Sequence, residues 1–159
     1  MKHEFVESAA QALDRALARH MRAVADGCCS PVRLIVGAAS SPLANALWPH
    51  VAALGRAGGE LKILLKSDRS GERAEMDRRL SQAGGAQVAC IRMARFRGSD
   101  QLVEQLIFGD QLWGFGGVPP FSDSLCRLPS NDFSIRAAQA SFEMVYALSD
   151  TFGVGRRAA

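Results

Sequence analysis

The chain contains few of the residues that usually carry out chemistry. Its 159 residues include three histidines, four cysteines and one tyrosine, and no two cysteines have the Cys-x-x-Cys spacing of a metal or redox site. It has neither a GxGxxG loop nor a Walker loop, which argues against the nucleotide enzymes that use those loops. The remaining composition, with 48% apolar and 22% charged residues, is that of an ordinary globular domain.

We also expect no export signal, because Met1 leads into charged residues and not into a short apolar core. We therefore expect a cytoplasmic protein with reduced thiols. Cys28 and Cys29 are adjacent and would form a disulfide only with strain, and whether this pair is redox-active stays open. Together with His20 or His50 the pair lacks the ligand spacing of a zinc site, so we expect no metal and no other cofactor.

Charge is absent from Leu34 to Gly55, a stretch long enough to cross a bilayer. Pro42 and Pro49 lie within it, and two prolines would interrupt a spanning helix. We interpret the stretch as a buried strand, a loop and a helix, and expect no insertion into a membrane.

Hydrophobic periodicity predicts helices that alternate with strands. Helical spacing predicts helices over residues 4–26 and 71–83 and a closing helix that Ser130, Asn131 or Asp132 caps. Pro49 predicts a kink, or a short turn followed by a helix over 49–57. Strands are predicted in VRLIVGAAS, LKILLKSD, AQVACIRM, the two arms of LVEQLIFGDQLWGFGG and, more briefly, DSLCRL.

This order predicts an α/β fold. Strands separated by helices imply a mixed but mostly parallel sheet that helices cover on both faces, with antiparallel pairing added by the hairpin. We expect one domain over residues 1–159, with a core over about 8–152 and a frayed tail at 153–159.

The order of elements resembles one module of the phospholipase D-like superfamily. The similarity lies in RLIVGA, in LGRAGGELKILLKSD, in the apolar hairpin and in the closing helix. That family's signature is His-x-Lys followed, after four residues, by Asp. Aligned on the hairpin, Asp110 takes the position of the Asp, Gln105 that of the Lys and Val103 that of the nucleophilic His.

The resemblance therefore implies a degenerate module without catalytic residues. Val103 cannot attack phosphorus, and Gln105 offers phosphate only a neutral amide. Asp110 has a simpler role, because Gly-Asp is a favoured two-residue hairpin turn. We expect a binding module that serves as a scaffold, a regulator or a subunit of a larger assembly; the alternative is a phosphodiesterase or nuclease whose catalytic groups lie elsewhere.

A basic segment is the candidate site for nucleic acid. Arg92, Arg95 and Arg97 surround Phe96, and arginine forks suit phosphate while an aromatic ring suits base stacking. A solvated strand end explains the same residues without a ligand, and the net charge of +3 is only mildly basic. We therefore regard binding of nucleic acid as the less favoured expectation.

The hairpin is the candidate site for a protein partner. Strand alternation places Trp113 and Phe115 on one face and Leu112 on the other. If only one face belongs to the core, the other is an apolar contact patch. We therefore expect a homodimer, or a heterodimer in the cell, that packs through or beside residues 111–117, and core packing of Trp113 is the alternative.

Overall fold

The computed structural model describes residues 7–66, 71–116 and 124–151. Four helices lie within them, and they are α1 (Ala9–Ala25), α2 (Pro42–Arg56), α3 (Glu72–Gln82) and α4 (Asp132–Leu148). The strands are β1 (Val32–Val36), β2 (Leu61–Leu65), β3 (Ala89–Met93), β4 (Gln105–Phe108), β5 (Gln111–Gly116), β6 (Ser124–Arg127) and the two-residue β7 (Asp150–Thr151).

The strands form one mixed sheet in the order β6-β5-β4-β1-β2-β3-β7. Only the β1–β2 and β2–β3 pairs are parallel, and the other four pairs are antiparallel. The α/β class is therefore confirmed, whereas the expectation of a mostly parallel sheet is wrong. The reason lies in the connections, because helical crossovers link β1, β2 and β3, while the short β4–β5 link permits only antiparallel pairing.

The first helix begins later than its periodicity predicts. Ser8 caps it, since the Ser8 hydroxyl accepts a hydrogen bond from the Gln11 amide (3.2 Å) and the Gln11 side chain accepts one from the Ser8 amide (2.9 Å). This reciprocal pair satisfies two backbone donors that the first turn leaves unpaired. Residues 1–6, where the predicted start falls, lie outside the described residues.

The second helix is continuous from Pro42 to Arg56, so the alternative of a turn followed by a helix that starts at residue 49 is wrong, whereas a kink at Pro49 stays a prediction. Pro49 removes the hydrogen bond that the Asn45 carbonyl would accept, but Asn45 and Pro49 both lie on the exposed side of α2. Water can solvate a carbonyl there, and the helix continues through the proline at a tolerable cost.

The remaining elements exist where the pattern predicts them, but β1 ends four residues earlier, and β3 and β4 each begin three residues later, than predicted. Asn131, one of the three predicted caps, accepts a hydrogen bond from the Ser134 amide at 2.9 Å and starts α4. The expected frayed tail at 153–159 falls outside the described residues.

Helices cover both faces of the sheet, as expected, but unequally. The helices α1, α2 and α3 pack on one face and enclose the larger core. On the other face α4 is the covering helix in the described part of the chain, and its Phe142 and Tyr146 pack on Ile35, Leu64 and Ile107. The second core is therefore closed by the packing of α4 on the sheet.

The β4–β5 hairpin contributes to both cores. Gly109 has φ +56° and, with Asp110, forms the predicted two-residue turn. Trp113 is only 4% exposed and belongs to the larger core, whereas Leu112 packs against the second core. The premise of a leftover apolar face at 111–117 is therefore wrong, and dimerisation through this segment stays a prediction without that support.

Replacing Phe142 by alanine should destabilise the protein strongly. Phe142 is fully enclosed between α4 and the sheet, and truncation of such a ring costs about 3–5 kcal/mol. Phe133 on the same helix is 81% exposed, so Phe133→Ala should change the free energy of unfolding by less than about 0.5 kcal/mol. Urea denaturation at low protein concentration compares the two, and equal losses would contradict this packing.

Candidate functional site

The carboxyl edge of the parallel strands is the usual ligand position in α/β sheets, and here the protein fills it with its own carboxylates. The Gly37 amide at the end of β1 donates to Glu104 Oε1 at 2.9 Å. The Ala39 amide, two residues on, donates to Glu72 Oε2 at 3.2 Å. Backbone amides that could bind a phosphate are thereby already occupied.

Three charged side chains join α4 to the sheet. Glu143 Oε1 lies 2.8 Å from Arg33 Nε, and both Glu143 oxygens lie 3.0 Å from Lys62 Nζ. Partial burial opposes ionisation of Glu143, but hydrogen bonds from Arg33 and Lys62 outweigh it, so the pKa of this carboxyl lies below its usual value. Glu143 contacts both cations, and its single negative charge offsets part of their charge on the sheet face that α4 covers.

Arg92 has a structural position and does not join Arg95 and Arg97 in one basic edge. Its guanidinium lies 4.3 Å from the centre of the Tyr146 ring, and it donates to the Tyr146 carbonyl at 2.8 Å. Tyr146 in turn donates to the Cys90 carbonyl at 3.2 Å, and burial raises the pKa of the Tyr146 hydroxyl. Arg95 and Arg97 lie exposed beyond the end of β3, beside the exposed Phe96.

A basic groove runs between α1 and the hairpin. Two adjoining cavities of about 210 and 200 Å³ share Ala16, Arg19 and Gln111 in their walls. Arg15 and Arg127 line one of them, and His20 and Asp110 line the other. We call this surface the α1–hairpin groove.

The charges of the groove are only partly compensated. Arg15 pairs with Glu7 at 2.7 Å, whereas Arg19 and Arg127 make no ion pair or hydrogen bond with any residue in the described ranges. His20 is 7% exposed, and its Nε2 has no hydrogen-bond partner there. Burial lowers the pKa of His20, which favours the neutral ring at the bottom of the groove.

Sequence reasoning missed this groove, although two of its candidate site residues, Asp110 and Trp113, line the groove. Arg19 lies on the first helix and Arg127 on β6, so more than a hundred residues separate them along the chain. No local spacing indicates that they meet, because the pairing of β6 with β5 beside α1 brings them together.

The outer face of α4 carries the most exposed apolar side chains on that helix. Phe133, Met144 and Leu148 are 81%, 66% and 76% exposed, and Ala137 and Ala140 lie exposed between them. We call these five residues the α4 stripe. Its spacing is visible in the sequence, but the opposite seam through Phe142 carries the stronger helical pattern. A helix that is apolar on both sides is normally covered on both sides.

Among the described residues, no group of histidine, cysteine or acidic side chains is arranged to hold a metal ion. His50, a zinc ligand considered on sequence grounds, lies 2.7 Å from Asp14 across the α1–α2 contact. None of the helices in this part of the chain is both long and apolar enough to cross a lipid bilayer.

Comparison with known proteins shows a shared fold and no shared family. No family model matches the chain, and no curated protein matches its sequence. A solved structure that resembles it is TrmBL2, an archaeal chromatin protein described as showing a novel mode of DNA binding, with a TM-score of 0.52 and 12% identity. The match covers 87% of this chain and 51% of TrmBL2, so the chain spans about half the length of that protein.

These findings overturn the phospholipase D-like assignment. No family model supports it, and the fold matches a chromatin protein. The motif positions agree with the correction, since Val103 is an exposed loop residue, Gln105 begins β4 and Asp110 belongs to the hairpin turn. The likeness rested on an order of elements that unrelated α/β proteins share.

The stability contributed by Glu143 should depend on pH. Its pKa is lower in the folded protein than the value of 4.5 that applies when the chain is unfolded, so its stabilisation is complete above pH 4.5 and is lost as the pH falls through the folded value. The difference in unfolding free energy between wild type and Glu143→Gln should therefore shrink below pH 4.5. Urea titrations from neutral pH to about pH 3 test this, and a constant difference would contradict it.

Proposed function

We propose that this chain is a non-catalytic interaction module that works as a subunit of a larger assembly. The observation that carries the proposal is the α4 stripe, an apolar surface on a helix whose opposite side already fills a core. Large exposed apolar patches on folded proteins are commonly contact surfaces.

The carboxyl edge of the sheet supports a binding role over a catalytic one. Glu104 and Glu72 occupy the amides of Gly37 and Ala39, so the usual ligand position of the fold is satisfied internally. The comparison is compatible with a role as one part of a larger protein, because the chain corresponds to about half of TrmBL2.

A photo-crosslinking amino acid at Met144 should capture a protein in living cells. Met144 is an exposed member of the stripe, so a partner that covers α4 comes within reach of the probe. The product is identified by mass spectrometry, as either this same chain or another polypeptide.

The matched control carries the same probe at Gln82, an exposed residue of α3 on the other side of the sheet. A specific contact gives a discrete product from position 144 and none from position 82. Absence of a product at position 144 in cells that make the protein at its natural level would remove the proposal.

Nucleic-acid binding is a second candidate function, and the α1–hairpin groove favours it. Arg19 and Arg127 are exposed without a partner among the described residues, and such guanidinium groups suit phosphate oxygens. TrmBL2, which shares the fold, is described as binding DNA. The exposed Arg95 and Arg97 lie apart from this groove, at the end of β3.

If the groove contacts phosphates, affinity for duplex DNA or RNA should fall with salt. Each phosphate contact contributes roughly 0.9 to the slope of log affinity against log salt, so the double variant Arg19→Ala/Arg127→Ala should reduce the slope by about two. Arg136→Ala, at an exposed position of α4 on the other face of the sheet, should leave the slope unchanged. Fluorescence anisotropy measures this, and a double variant that binds like wild type would exclude the groove.

A further inference from the structure

The α4 stripe has a symmetric arrangement along the helix. Its members follow one another at steps of four, three, four and four residues, which keeps them on one side of an α-helix. The large side chains are Phe133 near the start and Met144 and Leu148 near the end, while Ala137, Ala140 and the neighbouring Ser141 lie between them. The side chains in the middle of the stripe are therefore small, and the large ones lie closer to its two ends.

Reversal of the helix maps four of the five stripe positions onto one another, and it maps Ala140 onto the neighbouring Ser141. Counted about the midpoint between Ala140 and Ser141, Phe133 corresponds to Leu148, and Ala137 corresponds to Met144. Each large side chain therefore has an apolar counterpart at the same distance on the other side of the midpoint. A two-fold interface requires this property, because residue i must contact residue j while j contacts i.

We propose that α4 packs antiparallel against α4 of a second copy of this chain, with the two-fold axis beside Ala140 and Ser141. The inference rests on the proposed function and names the partner of the same surface. Phe133 of one copy then covers Leu148 of the other, Ala137 receives Met144, and the small residues at the crossing point let the two backbones approach closely.

The charges next to the stripe fit this partner. No charged residue lies among the stripe positions, and the exposed Arg136 borders them. Glu143, the carboxylate nearest to the middle of the helix, is held towards the sheet by Arg33 and Lys62. Pairing of two copies therefore does not leave this carboxylate unpaired in the contact.

The contact is small, which sets the expected affinity. One helix face per copy is less than the roughly 800 Å² that each partner contributes to a standard interface, so we expect weak self-association. Sedimentation equilibrium of the purified chain should show a concentration-dependent monomer–dimer equilibrium.

Ala140→Glu should abolish the dimer, because it places a carboxylate from each copy at the crossing point. Glutamate suits an exposed helix position, so the monomer should keep its circular dichroism spectrum and its unfolding midpoint. Ala74→Glu, the same change at an exposed position of α3, should leave the dimer intact. Loss of the dimer in both variants, or in neither, would contradict the placement on α4.

A charge-pairing experiment tests the antiparallel register. Ala137→Lys and Met144→Glu should each weaken self-association at least tenfold. When the two variants are mixed, the introduced lysine of one copy should face the introduced glutamate of the other, and a heterodimer should form more tightly than either homodimer. A mixture that stays monomeric would exclude this register.

A wild-type chain that stays monomeric at several hundred micromolar overturns the inference. If the probe at Met144 then captures another polypeptide in cells, the proposed function stands and only the identity of the partner was wrong. If that probe captures nothing, both proposals fail together.

Discussion

Glu143 is the point on which the arrangement of the second face depends. Arg33 and Lys62 lie next to each other on neighbouring parallel strands, and α4 covers them. Two cations under a helix would be costly without a carboxylate, and one oxygen of Glu143 contacts both. Glu143 lies on the sheet side of α4 together with Phe142 and Tyr146, and the α4 stripe lies on the side that points away from the sheet.

The distribution of helices then explains where binding surfaces remain. Three helices close the first face, and the amides at the end of β1 are satisfied from within. The second face has α4 as its one described helix, whose outer side is apolar. A pair of copies joined through α4 would stack their sheets on either side of the two helices, and the α1–hairpin groove would lie on the far side of each copy, open to a second ligand.

Much of the local structure could be predicted from the sequence, because it depends on neighbouring residues. The apolar seam of α4, its cap at Asn131 and the Gly109–Asp110 turn all follow from short-range spacing. Strand direction and order depend on which distant segments pair, and no local pattern indicates that β4 returns to lie beside β1. For the same reason, no local pattern predicts the groove, whose arginines are distant in sequence. Nor does a local pattern predict the contact between Glu104 and Gly37.

The hydrogen bond from the Gly37 amide to Glu104 places a carboxylate of the protein where a bound anion would otherwise accept from this amide. A carboxylate tethered by a short piece of chain acts at an effective concentration on the order of millimolar or more, so a free anion at the Gly37 amide would have to outcompete it. Ordinary metabolite phosphates at lower concentrations would be excluded from this position.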